Sequence, residues 1–462
     1  MDQSRSALID RQLEALTQRF EERIDRALGS RRTHTHTVTY LDSQLPDAVL
    51  VVRDTQEVAD AVRICAEQEL PVIAFGAGSS IEGQLNAPRG GLSIDLTSMD
   101  QVISISPEDM TATVQPGITR EALNSYLRDT GLFFPIDPGA NASLGGMAAT
   151  RASGTSAVRY GTMKDNVLAV EAVMADGRII RTAQKAKKTA AGYDLTRLLV
   201  GSEGTLGIIT ELTIRLYPIP ELIGSGTCIF PSVAAACQAV IETIQSAVPV
   251  ARCELVDEAQ IAACNAYSKL DLPLAPTLFL EFHGSPAEVE THAVAFAEIA
   301  QQNGSTDFAW SGNPQQRSKL WQARHDAYWA AAAHRPDAQV FSTDVCVPIS
   351  RLADCVTETQ ADLKEHGLTG PILGHVGDGN FHVLLTLDPA KPQEIAQIEA
   401  FTARLAERAL RMEGTCTGEH GVGQRKVAYL RRELGDAVDF MAAIKQALDP
   451  KNIMNPGKYG FS

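Results

Sequence analysis

The segment from Pro71 to Gly91 constrains this chain more than any other. Pro71-Val-Ile-Ala-Phe75 is a short apolar run that reads as a buried strand, and it opens directly into Gly76-Ala77-Gly78-Ser79-Ser80-Ile-Glu-Gly83. Such a loop turns main-chain N–H groups and two hydroxyls toward phosphate oxygens. Asp95 lies about 20 residues downstream, where a Rossmann turn would keep its ribose-binding acid. The stretch between them defeats that reading. Gln84-Leu-Asn-Ala-Pro88-Arg-Gly90-Gly91 carries a proline and two glycines, and no crossover helix of about 10 residues fits there. The loop is a phosphate cradle without a βαβ unit.

Three further stations of small residues follow. The first runs through Asp137-Pro138-Gly139, Ser143, Gly145-Gly146 and Ser153-Gly154. The second is Arg159-Tyr160-Gly161-Thr162, and the third is Gly201-Ser-Glu203-Gly204-Thr-Leu-Gly207-Ile-Ile209. Small residues let the backbone approach a large planar or phosphorylated ligand closely.

Length alone suggests about three domains, but the texture of the chain gives two. Residues 1–40 open with a helical segment whose Ile9, Leu13, Leu16, Phe20 and Ile24 share one face. Residues 41–220 alternate strands with glycine loops, including an Asp176-Gly177 hairpin. Residues 221–420 alternate Ala-rich helices with short strands, the pattern of an α+β domain. One helix is expected to run unbroken over 316–333. Residues 421–462 end in Asn452-Ile-Met-Asn455-Pro-Gly-Lys458.

The formal net charge is −15, which argues against a nucleic-acid partner and against polybasic attachment to anionic lipid. No apolar run reaches the ~18 residues a membrane span needs. The eight cysteines form no CxxC pair; with an N-terminus free of a signal-type apolar run, they suggest reduced thiols in a cytoplasmic protein.

The most chemically loaded segment is Gly374-His375-Val-Gly-Asp378-Gly-Asn380-Phe-His382. Gly-Asp-Gly-Asn is turn chemistry, so the two histidines flank a turn and can converge. Gly418-Glu419-His420-Gly421 follows and offers a third ligand, Glu419. Two imidazoles and a carboxylate suit Zn²⁺, Mn²⁺ or Fe²⁺ and leave open positions for substrate. His420 is suited to accept a proton near neutral pH. Arg324 and Tyr328, spaced i and i+4, are expected on one helical face, with Arg324 a partner for a carboxylate.

The order of these stations, from residue 40 to the C-terminus, resembles the vanillyl-alcohol oxidase (PCMH-type) flavoprotein superfamily. Within it, the chain is most similar to the FAD-linked D-2-hydroxyacid dehydrogenases, and among those to the cytochrome-type D-lactate enzymes. The resemblance implies an α+β fold. A PCMH-type FAD-binding domain of two α/β subdomains would carry an α+β cap with an antiparallel sheet.

It also implies cofactor contacts at Gly76, Ala77, Gly78, Ser79, Ser80 and Gly83. Further contacts are implied at Pro138, Gly139, Ser143, Gly146, Gly154, Glu203, Gly207, Ile209 and Asn455. With neither His nor Cys in 71–83, the FAD is expected to be non-covalent. The family's divalent metal falls on His375, His382 and Glu419. Substrate contacts fall on Arg324, Tyr328, Asn380 and His420, with His420 the base, Arg324 the carboxylate clamp and Asp378 structural.

Relatives acting on dicarboxylates carry a lysine where Ser342 or Thr343 stands here, which favours a monocarboxylate. The expected reaction is oxidation of D-lactate to pyruvate, with hydride passing to the flavin. Electrons would then go to a cytochrome, a quinone or another carrier, which could hold the protein at the periphery of the inner membrane. A homodimer is compatible with this reading. Alternatives are a glycolate oxidase flavin subunit, a D-2-hydroxyglutarate dehydrogenase, an enzyme of the alkyl-dihydroxyacetone-phosphate synthase type, and a non-catalytic FAD-stabilised subunit.

Overall fold

The computed structural model describes residues 3–333, 335 and 337–461. The chain divides into two compact units. The first comprises residues 1–153, 162–218 and 419–462; the second comprises 154–161 and 219–418.

In the first unit, a four-stranded sheet contains β1 (Ile24–Asp25), β2 (Ala48–Val51), β3 (Val72–Phe75) and β4 (Leu92–Asp95), in the order β1-β2-β4-β3. β4 pairs parallel with both β2 and β3. No helix lies between β3 and β4, so the glycine loop makes the whole connection. The helix Gln3–Phe20 buries Ile9, Leu13, Leu16 and Phe20 in the same core as this sheet. The helical segment expected to carry Ile24 on the same face stops at Phe20. Glu21 takes φ +53°, and Ile24–Asp25 leaves to pair with β2.

A second sheet in this unit is wholly antiparallel. It holds β5 (Val102–Ser106), β6 (Thr111–Val114), β7 (Val167–Met174), β8 (Ile179–Arg181) and β9 (Gly207–Arg215), in the order β5-β6-β9-β7-β8. The Asp176-Gly177 turn joins β7 to β8, with Gly177 at φ +79°. The C-terminal tail lies beside β3: Val72 donates to Ile453 O and Asn455 donates to Val72 O, both at 2.8 Å.

The second unit is built on an eight-stranded antiparallel sheet. Its main path contains β10 (Leu222–Ile229), β11 (Val250–Val256), β12 (Thr277–Gly284), β13 (Asp307–Ser311), β14 (Gln339–Ser342), β15 (Ile372–Gly374) and β16 (Asn380–Leu387), in the order β13-β10-β12-β11-β15-β16-β14. The short strand Val345–Cys346 also pairs with β16. The sequence reading omits a 20-residue helix, Pro392–Arg411, which buries Ile398, Phe401, Leu405 and Ala409. The helix expected over 316–333 is two, Pro314–His325 and Ala327–Ala333, interrupted at Asp326. The Asp326 carboxylate accepts from Gln322 and Ser268.

Residues 154–161, read from sequence as part of the first domain, belong to the second unit. The chain enters and leaves this excursion at Gly154 (φ +146°) and Gly161 (φ +74°), angles that favour glycine. Tyr160 donates to or accepts from His283 Nδ1 at 2.7 Å, and Arg159 donates to Pro249 O.

Candidate functional site

In the first unit the glycine stations meet. Ser143 precedes the helix Leu144–Thr150, and its Oγ accepts from Ala77 N–H at 3.2 Å. A Cβ on Gly76 would stand 2.2 Å from that oxygen, so the two loops lie too close for any side chain at 76. Gly78 sits at φ +70° against the Phe75 ring. Asp95 accepts from Thr97 and lies 3.0 Å from His34 Nε2, which commits it to its own strand end.

Two observations fit this cradle to FAD. Ser80 Oγ is buried without a hydrogen-bond partner among the described residues. Leaving such a hydroxyl unsatisfied costs about 1–3 kcal/mol, and a phosphate oxygen is an acceptor it can use. A Cβ on Gly139 would meet nothing within 4 Å, so no protein atom requires glycine there, whereas a close ligand would.

Other expected cofactor residues have structural duties. A Cβ on Gly146 would meet Ser143 Oγ at 3.2 Å, and one on Gly207 would meet Val173 O at 3.0 Å. Ile209 lies in the core cluster under β9. Gly154 belongs to the second unit.

Glu203 is a clamp on the His420 segment. Its carboxylate accepts from Val422 N (2.7 Å) and Gly423 N (2.9 Å). Burial pushes it up to about 7, against the N–H groups that favour the anion. Gly421 and Gly423 are needed because Cβ atoms there would strike Glu203 Oε1 and Glu82 O at 2.3 and 2.1 Å. Asn455 Nδ2 donates to Gln84 O and Glu203 O, while Lys458 Nζ donates to Asn455 Oδ1. Burial brings Lys458 down to about 7.

The sequence reading missed the group that holds His420. Glu82, fully buried, places Oε1 3.3 Å from His420 Nδ1. Burial raises this carboxyl, but Lys426, Arg425 and His420 outweigh it and hold it below the usual range. Gln84 Nε2 fixes the same segment by donating to His420 O at 2.8 Å.

In the second unit the 375–382 turn brings its histidines together. β15 and β16 pair Leu373 with His382, and Gly379 turns the chain at φ +79°, where a Cβ would meet Val347 O at 2.1 Å. The imidazole centroids are 5.7 Å apart at 83°. His375 Nδ1 lies 2.7 Å from Glu254 Oε1, and His382 Nδ1 lies 2.9 Å from Thr343 O. Holding an imidazole by one nitrogen so that the other faces an ion is the usual support of a metal ligand. The pair fits a divalent metal.

Asn380 Nδ2 donates to Asp344 Oδ1 and Val345 O, both at 2.8 Å. Its Oδ1 is buried with no partner among the described residues. Arg324 is 9% exposed, and its Nε and Nη2 reach Glu254 Oε2 at 2.9 and 2.6 Å.

The expectation that Arg324 and Tyr328 share one helical face needs correction, because the interruption at Asp326 puts them on separate helices. Tyr328 packs on the Ala263, Cys264, Ala327 and Leu373 cluster. All eight cysteines are free thiols, seven of them buried.

Glu254 carried no motif in the sequence. Its one signal was a carboxylate inside the apolar strand Val250–Val256, a placement that requires pairing.

Residues 46–183 match the FAD binding domain family, and residues 219–459 match the C-terminal domain of FAD linked oxidases. A probable mitochondrial D-lactate dehydrogenase of Danio rerio is 54% identical over 89% of this chain and 84% of its own length. The mitochondrial D-lactate dehydrogenase [cytochrome] of Arabidopsis thaliana is 44% identical over 90% and 73%. Glycolate oxidase subunit GlcD of Bacillus subtilis is 34% identical over 95% and 94%. Among solved structures, p-cresol methylhydroxylase with substrate bound superposes with a TM-score of 0.81 at 16% identity, over 99% of this chain and 97% of that one. None of the described helices is long and apolar enough to cross a membrane. The chain is a member of the FAD-linked oxidases, an oxidoreductase with the p-cresol methylhydroxylase type of FAD-binding fold.

Proposed function

We propose that the protein oxidises a D-2-hydroxy acid, D-lactate foremost, to the 2-keto acid. The observation that carries this is the clustered, largely buried group of Arg324, Glu254, His375, His382 and Asn380, in a chain whose relatives include D-lactate dehydrogenases. In this reading Arg324 binds the substrate carboxylate, with Glu254 fixing the guanidinium plane. Asn380 Oδ1 accepts the C2 hydroxyl. His420, held at Nδ1 by Glu82, takes that proton on Nε2. FAD held by the 76–80 loop supplies the acceptor for the hydride lost from C2. A divalent ion on His375 and His382, with Glu419 as the ligand the sequence assigns, supplies charge that lowers the hydroxyl pKa. Electrons then pass to a carrier protein or quinone.

Glycolate is the second reading, supported by the GlcD relative. Ser342 and Thr343 stand where a dicarboxylate enzyme needs a cation. Ser342 Oγ instead donates to Thr343 O, and Thr343 Oγ1 accepts from Val383 N.

The test is anaerobic mixing of the flavin-loaded protein with D-lactate, L-lactate, glycolate and D-2-hydroxyglutarate, following the flavin absorbance. D-lactate should bleach it fastest and L-lactate should not. Equal bleaching by both enantiomers, or none by D-lactate, overturns the reading. EDTA treatment should slow bleaching while FAD stays bound, and an unchanged rate in metal-free protein removes the metal from the mechanism.

A further inference from the structure

We propose that Glu254 is a positioning residue that makes metal retention depend on Arg324, a side chain that is not a ligand. The inference rests on the reading above in one respect, that His375 ligates a metal.

Glu254 is fully buried on β11, next to Leu255, whose register partner is Gly374. The strand pairing that places Glu254 thus also delivers His375. Its two oxygens have different partners. Oε1 lies 2.7 Å from His375 Nδ1. Oε2 is gripped by Arg324 through Nε at 2.9 Å and Nη2 at 2.6 Å.

A carboxylate is planar and rigid, so a two-nitrogen grip on one oxygen fixes where the other sits. The position of Oε1 in turn sets the orientation of the His375 ring. Removing either partner would leave a buried charge undercompensated, so the three groups hold one another in place.

The neighbouring histidine is held differently. His382 Nδ1 lies 2.9 Å from a main-chain oxygen, Thr343 O, with the Asp344 carboxylate farther off at 3.8 Å. The nearest hold on His382 thus comes from the main chain, while His375 follows Arg324 through Glu254. If Arg324 also binds the substrate carboxylate, substrate and metal occupancy are coupled through this one side chain, and the coupling is reciprocal.

The experiment uses the full-length, FAD-loaded protein, stripped of metal with chelator and titrated with Mn²⁺ by electron paramagnetic resonance. FAD content and melting temperature are recorded alongside. Loss of a group that orients a metal-ligating histidine typically weakens metal binding about 10–100-fold. Glu254→Gln should therefore bind Mn²⁺ about 10–100-fold more weakly than wild type. Arg324→Lys keeps the charge but loses the two-nitrogen grip, and should weaken Mn²⁺ binding in the same direction. The double variant should be no weaker than Glu254→Gln alone, because both substitutions break the same linkage.

A merely structural ion pair would lower the melting temperature of Arg324→Lys and leave its Mn²⁺ affinity at the wild-type value; that result overturns the proposal, as does additivity in the double variant. If Glu254→Gln does not fold, Arg324→Lys and Glu254→Asp decide the question, since the shorter acid cannot span both partners. Wild-type protein that binds no Mn²⁺ overturns the metal reading itself, a different outcome from normal binding unaffected by Arg324→Lys.

Discussion

The two units prepare for anionic ligands with different materials. The first uses main chain: the 76–80 loop, the Ser143 turn and the Asn455 tail approach through positions where a Cβ at Gly76 would not fit. The second uses side chains: Arg324 from a helix, His375 from the turn after β15, and Asn380 and His382 from β16, which meet through Glu254 and Asp344. Main-chain cradles need glycine, which leaves a trace in sequence. Side-chain clusters need a partner from a distant strand, which leaves almost none.

Beneath that difference lies a shared device. Three fully buried glutamates each join a cation to an imidazole. Glu82 meets Arg425, Lys426 and His420; Glu254 meets Arg324 and His375; Glu281 meets Arg252, Arg317 and His283. Burial opposes ionisation of Glu281, yet its cations hold it down at about 2. A chain of net charge −15 keeps cations at its sites by pairing each cluster with an internal carboxylate.

The largest expected effect falls on His420. His420→Ala should slow flavin reduction by D-lactate about 10²–10⁴-fold, the usual contribution of a positioned base, with FAD content unchanged. Stopped-flow reduction of the flavin reads it directly. An unchanged rate would move the base elsewhere and leave Glu82 as a structural anchor.

A smaller effect tests the main-chain cradle. Gly76→Ala puts a methyl group 2.2 Å from Ser143 Oγ. It should cost about 1–3 kcal/mol of stability and loosen FAD, read as the flavin-to-protein absorbance ratio after gel filtration. Adding Ser143→Ala removes the colliding oxygen and leaves the Ser143 Cβ at 3.4 Å, so the double variant should recover FAD. Full retention by Gly76→Ala alone would mean the loops are not held at this spacing.

What the sequence disclosed follows this division. The missing helix between Phe75 and Leu92 was legible because Pro88, Gly90 and Gly91 forbid one. The turn between His375 and His382 was legible from Gly-Asp-Gly-Asn. The partners of those histidines were not, because Glu254 lies 121 residues from His375 along the chain and only the β11–β15 pairing brings them together. The excursion at 154–161 was hidden for the same reason. Gly154 and Gly161 read as ligand-approach glycines, and the structure adds that they turn the chain out of one unit and back. The break at Asp326 lacks a proline or glycine to announce it.

The smallest expected effect separates the units by pH. Each anchors its histidine segment with an acid that burial raises to about 7: Glu203 on Val422 and Gly423, and Asp257 on Ile372. Asp257 starts near 3.8 in the unfolded chain, so between about pH 4 and 7 the folded state binds more protons than the unfolded one. Stability contributed by this group must then fall as pH rises through that window. The same sign holds for Glu203 from 4.5 upward. Asp257 oxygens accept from Gln260 N and Ile372 N, both at 2.8–2.9 Å, and these favour the anion and moderate the slope. Asp257→Asn cannot ionise, and should flatten the decline in melting temperature from pH 5 to 8 while lowering its level, since the amide gives up one acceptor. Glu203→Gln should flatten the remaining slope. The slope is therefore the readout, and whichever variant flattens it more identifies the acid that burial shifts further. A slope unchanged in both would mean that these acids ionise in the fold as easily as in water, and that neither anchor is as dry as its burial indicates.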